Sequence, residues 1–452
     1  MITTVLAFVV TLGLLIVVHE YGHYRVAVAC GVKVIRFSVG FGRVLWRRQA
    51  SADATEFVVC ALPLGGYVRM LDEREGPVAP HEAGMAFNRK PLLARTAIVS
   101  AGPVANLLLA VLLYAAAHWI GITEPRAVLS TPGSGSLAAS AGLRAGDAVR
   151  SWSLDGNDWQ DVRSMTDLRW EITQAALGGR DLQLLVGDRD GRGARTVRLE
   201  LSRLAVRDVD AALMKQIGLG AAYSDPVMGE VKAGGPAALA GLKAGDRVLF
   251  VDDAPVSDAQ SLRDRIRQGP GVEQTWRIER AATRLDLKVR PRAVTEGDRE
   301  IGRVDAFVGR APEMVLVRHG PIEGLVLGVS RTWEVSALTL RMMGRMLVGE
   351  ASLKNISGPL TIADYAGQSV NQGLAYYLGF LALVSVSLGV LNLLPLPMLD
   401  GGHLMYYLFE GLTGRPVSDL WLARLQRGGI ALLLMMMSVA LFNDVARLLG
   451  LH

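Results

Sequence analysis

Cysteine is almost absent from this chain, and charge is absent from its first segment. Only Cys30 and Cys60 occur among 452 residues. The large polar region that follows them has none, so no disulfide holds that region together. Residues 1–18 contain no ionisable side chain. Because this run also lacks a basic N-terminal region and a clear small-residue cleavage pattern, we expect a retained transmembrane helix and not a cleaved signal peptide.

Apolar and polar segments alternate along the chain. Half of the residues are hydrophobic and 20% are charged. Apolar stretches occur at 2–18, 96–120, 374–396 and 429–449, each near the roughly 20 residues that a bilayer requires. The pattern predicts a polytopic α-helical membrane protein with four transmembrane segments, placed at 1–30, 96–120, 374–410 and 426–450. Between the second and third lies enough polar chain for one or two globular domains.

Basic residues predict the orientation in the membrane. Segment 31–95 carries ten Lys and Arg side chains, whereas the first residues carry none. The positive-inside rule therefore predicts an external N-terminus, a cytoplasmic segment 31–95 and an external polar region. Membrane topology accounts for the net charge of +5. We therefore expect the lipid bilayer as a partner and no nucleic acid.

Three ionisable residues arrive together at the end of the first apolar run, in His19-Glu20-Tyr21-Gly22-His23. Each such group costs about 2.5–3.5 kcal/mol inside a membrane, which favours a functional role. Histidines at i and i+4 share one helix face and can bind one metal ion, beside a glutamate that can polarise water. The alternative is a satisfied polar cluster between packed helices.

A catalytic zinc ion requires a third protein ligand, which the sequence offers far away. The third apolar stretch ends in a proline-broken segment that contains Asp400. His19 lies about 27 Å along the first helix, so both residues approach the cytoplasmic side of the bilayer and can meet. The alternative is that Asp400 caps the following helix.

The polar region contains an internal repeat. Residues 141–147 (AGLRAGD) recur as residues 240–246 (AGLKAGD), an offset of 99 positions. The offset predicts a duplicated domain, at 121–222 and 223–309. The small-Gly-Leu-x-x-Gly-Asp pattern resembles the core of bacterial PDZ domains, which bind peptides by strand addition. A pair of β-rich domains without a ligand is the alternative.

Two further segments have strand or helix patterns. Residues 34–39 alternate as a strand and 56–70 have the pattern of a second strand, with Gly40, Gly42, Gly65 and Gly66 as bends. We expect a membrane-associated, re-entrant β-hairpin within 31–95. Residues 310–373 have an amphipathic helical pattern, which suits the outer membrane surface or packing against the PDZ-like pair.

The two polar motifs together resemble the site-2 protease family, of the regulator-of-sigma-E type with two PDZ domains. They are His19–His23 and the N-x-x-P-x-P-x-L-D-G segment from Asn392 to Gly401. The resemblance implies that His19, His23 and Asp400 bind Zn²⁺, that Glu20 is the general base and that Asn392 holds the substrate backbone. It leaves His403 as a weaker alternative ligand. Residues 102–106 resemble another short family motif, but close packing of small residues explains them equally well.

The resemblance implies an intramembrane zinc endopeptidase of the bacterial inner membrane, with periplasmic PDZ domains. Its expected substrates are single-pass membrane proteins, such as an anti-sigma factor already trimmed outside the membrane. Two other functions are alternatives to this prediction. A non-catalytic PDZ scaffold would need no polar groups in its helices, and a metal transporter would be expected to carry ligands on more of them.

Overall fold

The structure is a computed structural model that describes residues 2–51, 53–190, 192–204, 213, 216–297, 299–347 and 358–448. Two compact units form the chain. One comprises Met1–Ile122 with Arg318–His452, and the other comprises Thr123–Val317. Part of the predicted amphipathic segment, residues 348–357, lies outside the described residues.

The described α-helices include four that are long and apolar enough to cross a membrane: Ile2–Ala29, Leu92–Ile120, Leu374–Asn392 and Leu420–Val445, the last within a longer helix. In chain order the helices are α1 (Ile2–Ala29), α2 (Leu92–Ile120), α3 (Leu137–Ser140), α4 (Met165–Leu177), α5 (Pro236–Leu239), α6 (Ala259–Gln268), α7 (Pro321–Leu347), α8 (Pro359–Gln372), α9 (Leu374–Asn392), α10 (Asp400–Thr413) and α11 (Asp419–Leu448).

The strands form small sheets of two or four strands. In chain order they are β1 (Val34–Arg48), β2 (Glu56–Met70), β3 (Ile122–Pro125), β4 (Ala148–Ser153), β5 (Gln160–Asp161), β6 (Leu182–Gly187), β7 (Arg195–Leu199), β8 (Met228–Val231), β9 (Arg247–Val251), β10 (Ala254–Pro255), β11 (Gln274–Arg280), β12 (Thr283–Val289), β13 (Arg292–Glu296), β14 (Arg299–Arg303), β15 (Ala306–Val308) and β16 (Met314–Val317).

Two glycines let α1 and α2 approach closely. A Cβ atom on Gly22 would lie 2.4 Å from the carbonyl oxygen of Ala101. A Cβ atom on Gly102 would lie 2.3 Å from Nε2 of His23. Small residues at a crossing allow the backbones of membrane helices to pack in direct contact. The crossing therefore places both histidines of α1 directly against α2.

Three further helices of the first unit, α7, α9 and α10, pack against α2. Tyr114 of α2, Val335 of α7 and Val386 of α9 belong to one buried apolar cluster. The helix α9 ends at Asn392, and α10 begins at Asp400 after a short irregular segment. Arg95 of α2 makes a two-point ion pair with Glu410, at 3.1 and 2.6 Å, which fixes α10 against α2.

The strands β1 and β2 form the predicted hairpin, but β2 folds back around β1. Residues 36–39 are each matched to two residues of β2, one from 56–59 and one from 66–69. This part of β1 consequently lies between the two ends of β2. In the described part of the chain no other strand pairs with residues 66–69, so their outer backbone edge is unpaired.

The second unit contains two four-stranded sheets with the same arrangement. Their strand orders are β5-β4-β6-β7 and β10-β9-β11-β12. One helix, α4 or α6, connects the first strand of each order to the third. Each sheet covers its own apolar core, with Leu168 and Leu184 buried in the first and Trp276 and Ile278 in the second. The sequence repeat is thus a repeat of structure.

The repeated aspartate has the same role in both copies. Asp147 accepts hydrogen bonds from the Arg144 amide at 2.7 Å and from Arg195 at 2.7 Å. Asp246 accepts them from the Lys243 amide at 2.8 Å and from Arg280 at 2.6 Å. In each copy the arginine also donates to the carbonyl of the repeat's first glycine. The aspartate therefore closes the Gly-Leu-x-x-Gly-Asp turn and joins it to a strand.

Candidate metal centre and active site

Two imidazoles on one face of α1 form the first half of the site. The Nε2 atoms of His19 and His23 are 3.2 Å apart, and both side chains are largely buried. Nδ1 of His23 lies 2.8 Å from the carbonyl oxygen of Ile98. This contact requires a proton on Nδ1, because a carbonyl oxygen only accepts hydrogen bonds. Nε2 of His23 is therefore free to bind a metal ion.

Asp400 completes a group of three potential ligands. Its Oδ2 atom lies 3.2 Å from Nε2 of His19 and 3.5 Å from Nε2 of His23. Asp400 is the first residue of α10, and the residue before it makes no side-chain cap. A tight turn directs Asp400 toward α1, since a Cβ on Gly401 would lie 2.1 Å from the carbonyl oxygen of Leu394. The two glycines of the Asp-Gly-Gly sequence are needed for this close packing.

The spacing of the three ligand atoms fits a tetrahedral ion. Zinc binds imidazole nitrogen and carboxylate oxygen at about 2.0–2.1 Å, so ligands of one tetrahedron lie about 3.3 Å from each other. The observed separations of 3.2, 3.2 and 3.5 Å agree with that value. Among the described residues, His19, His23 and Asp400 are the one group of three side chains that could hold a metal ion.

A cavity of 270 Å³ is lined by His19 and Asp400, two of the three potential ligands, and by the other predicted site residues, Glu20 and Asn392. Its lining comes from α1, β2, α2, α9 and the segment before α10. The residues are Leu15, Ile16, His19, Glu20, Gly65, Gly66, Asn106, Leu388, Asn392, Met398, Leu399 and Asp400. Glu20 and Asn392 thus share one cavity with two of the ligands.

The sequence profile of peptidase family M50 matches residues 7–436. The chain belongs to peptidase family M50. A protein of Ralstonia nicotianae named "Putative zinc metalloprotease RSc1411" is 44% identical over 460 residues, which cover 99% of each chain. The Regulator of sigma-E protease RseP of Escherichia coli is 38% identical over 458 residues, and Protease RseP of Yersinia pestis is 39% identical over 456 residues. In both, the match covers 98% of each chain.

In this M50 peptidase, α2 contributes more to the site than the sequence indicated. Gly102 lies against both imidazoles, since its added Cβ would come within 2.8 Å of Cε1 of His19. Asn106 is fully buried and lines the cavity. Both belong to the segment 102–106, which close packing also explained. The similarity of this segment to a short family motif was the sign in the sequence that it could belong to the site.

The hairpin of the M50 peptidase also reaches the site. A Cβ atom on Gly66 would lie 2.9 Å from Cγ of Glu20 and 2.8 Å from the carbonyl oxygen of Ser38. Glycine at this position lets β2 pass directly over the glutamate. The sequence indicated only that Gly65 and Gly66 are bends.

His403, the alternative ligand, does not belong to the group of three. It lies one turn along α10 from Asp400, and its ring meets the Tyr406 ring edge-on with centroids 5.9 Å apart. Its position beside a tyrosine is that of a packing residue.

Proposed function

We propose that this M50 peptidase is an intramembrane zinc endopeptidase that cleaves single-pass membrane proteins. The observation that carries the proposal is the site itself. His19 and His23 lie on α1, which is long and apolar enough to cross a bilayer, and Asp400 at the start of α10 completes a group of three potential ligands at tetrahedral spacing. Glu20 lines the same cavity as His19 and Asp400. The name of the Ralstonia relative includes zinc, and the mixed imidazole and carboxylate donor set suits that ion.

In this proposal His19, His23 and Asp400 hold the ion. Zinc acts as a Lewis acid that polarises a carbonyl group and lowers the pKa of water. Glu20 accepts the proton of the attacking water and returns it to the leaving amide nitrogen. Asn392 lines the same cavity, and its amide can hydrogen-bond the substrate backbone near the cleaved bond.

The substrate must be extended where it is cut, because a helix engages its backbone carbonyls in its own hydrogen bonds. The unpaired outer edge of residues 66–69 provides backbone partners for an extended chain. Gly66 of this edge lines the cavity next to Glu20. We propose that a substrate strand adds to this edge, which brings its backbone to the ligands.

The proposal extends to the second unit. We propose that residues 121–222 and 223–309 are two PDZ-like domains on the periplasmic side of a bacterial inner membrane. Their equal strand orders and matching Asp–Arg pairs support a duplicated domain. Two relatives carry the name RseP, one of them as a regulator of sigma-E, so the proposed substrate class includes an anti-sigma factor shortened outside the membrane.

The test compares the wild-type protein with Glu20→Gln in liposomes that contain a single-pass substrate with a truncated ectodomain. We expect wild type alone to cut within the membrane span, as located by mass spectrometry of the products. Asp364→Asn serves as a control, because Asp364 lies on α8 and hydrogen-bonds Gln368 at an exposed position.

Each other outcome rejects part of the proposal. Equal cleavage by both proteins would show that Glu20 is not the base. A substrate that both proteins bind and leave intact would favour the PDZ scaffold. Cleavage outside the membrane span would contradict intramembrane proteolysis and would favour a membrane-anchored peptidase that cuts outside the bilayer.

A further inference from the structure

Asn106 of α2 is a buried polar residue beside a proposed ligand. Its exposed fraction is zero. The amide nitrogen Nδ2 lies 3.4 Å from Nδ1 of His19, whereas Oδ1 has no hydrogen-bond partner among the described residues. A buried polar atom without a partner costs about 1–3 kcal/mol, so a hydrogen-bond donor to Oδ1 would be stabilising.

Metal binding decides which atom of His19 carries the proton. Nε2 faces His23 and Asp400 at 3.2 Å, so Nε2 must be deprotonated to bind an ion, and Nδ1 must carry the proton. A protonated Nδ1 needs a hydrogen-bond acceptor. Rotating the Asn106 amide by 180° exchanges its oxygen and nitrogen. The orphaned oxygen then accepts from His19.

We propose that Asn106 is a positioning residue for His19: its Oδ1 accepts the Nδ1 proton and holds Nε2 toward the metal ion. The inference rests on the proposed zinc site. Asn106 would serve His19 as the Ile98 carbonyl serves His23. Hydrogen bonds of this kind fix the tautomer and the ring orientation of metal-binding histidines, and losing one typically weakens metal affinity 10–100-fold.

The main chain holds Asn106 in place for this role. The hydroxyl of Ser385 on α9 donates to the Asn106 carbonyl oxygen at 2.7 Å, and both residues are fully buried. Ser385 thereby ties α9 to the turn of α2 that faces His19. The main chain at Asn106 is consequently held by two helices, which keeps the base of its side chain in place.

The test measures zinc affinity of the full-length protein in detergent by competition with a chromogenic chelator. Asn106→Leu keeps the side-chain size without an acceptor, and Asn106→Asp keeps the acceptor oxygen without the amide protons. We expect Asn106→Leu to bind zinc 10–100-fold more weakly and Asn106→Asp to bind within a few-fold of wild type. The melting temperature of each metal-free variant checks the fold, and Asn106→Ala replaces Asn106→Leu if the latter is unfolded.

The outcomes separate this inference from the proposed function. Wild-type zinc affinity in Asn106→Leu or Asn106→Ala would overturn the role of Asn106. Equal losses in Asn106→Asp and Asn106→Leu would also overturn it, because the amide protons would then be the required group. A wild-type protein that binds no zinc would reject the proposed zinc site itself, before any variant is compared.

Discussion

Gly102 faces the two imidazoles of the site, and replacing it by alanine tests the geometry directly. The added Cβ would lie 2.3 Å from Nε2 of His23, where ordinary van der Waals contact begins at 3.4 Å. His23 or α2 would therefore have to move by about 1.1 Å, whereas metal–ligand distances tolerate about 0.2 Å. The expected result is a zinc affinity at least about 100-fold lower, beyond the usual effect of losing a neighbouring hydrogen bond.

The assay is chelator competition on the detergent-solubilised protein, followed by peptide-bond cleavage in liposomes. Gly13→Ala is the matched control, because it lies in the interior of α1 and an added Cβ would meet nothing within 4 Å. It should keep the zinc affinity of wild type. If Gly102→Ala binds zinc as tightly as Gly13→Ala, the close approach of α2 to the imidazoles is wrong.

Three further predictions concern stability. Arg280→Met leaves Asp246 without its cation, and the Asp246 side chain is only 1% exposed. The free energy of unfolding should therefore fall by about 3 kcal/mol, as measured by urea denaturation followed by limited proteolysis. The loss should be smaller for Arg195→Met, since Asp147 is more exposed. Burial alone would raise the pKa of Asp246, but hydrogen bonds from Arg280 and the Lys243 amide outweigh it and hold the pKa below 3.8. The native state thus loses this proton more readily than the unfolded chain, so the stabilisation is present above pH 3.8 and is lost as the pH falls below it; an acid unfolding curve of Arg280→Met that matches wild type would contradict this. Asp444 accepts hydrogen bonds from the Gly358 and Leu360 amides at the start of α8, both at 2.9 Å. Asp444→Ala removes this acceptor, so thermal unfolding should show a stability lower by about 1–2 kcal/mol and an unchanged zinc affinity. Asp444→Asn should lower the stability less.

The apolar helices and their polar interruption could be predicted from local patterns. A run of apolar residues long enough for a bilayer has one favourable structure, because only a helix satisfies its backbone within the segment. The four apolar stretches accordingly correspond to four long helices. His19 and His23 share a helix face by periodicity alone, at i and i+4. The prediction of zinc followed from the residue types of the candidate ligands, and the name of the Ralstonia relative also includes zinc.

The repeat was visible in the sequence, but its structural reason was not. The Gly-Leu-x-x-Gly-Asp pattern marks a turn in each copy. The partners of its aspartates, Arg195 and Arg280, lie 48 and 34 residues further along the chain. Arg195 lies on β7, the fourth strand of its sheet, whereas Arg280 lies on β11, the third strand of the other. Aligning the two copies therefore does not match the arginines, and only the folded sheets bring each pair together.

The sequence by itself determined the four long apolar helices, the two strand segments of the hairpin region and the types of residue that carry the chemistry. Tertiary structure decided which of them meet. Asp400 reaches the imidazoles because the turn at Gly401 and Gly402 directs the start of α10 toward α1. Gly66, Gly102 and Asn106 enter the site only through contacts between elements distant in the chain. Such contacts depend on how closely backbones approach, which is a property of packing and leaves no periodic trace in a single sequence.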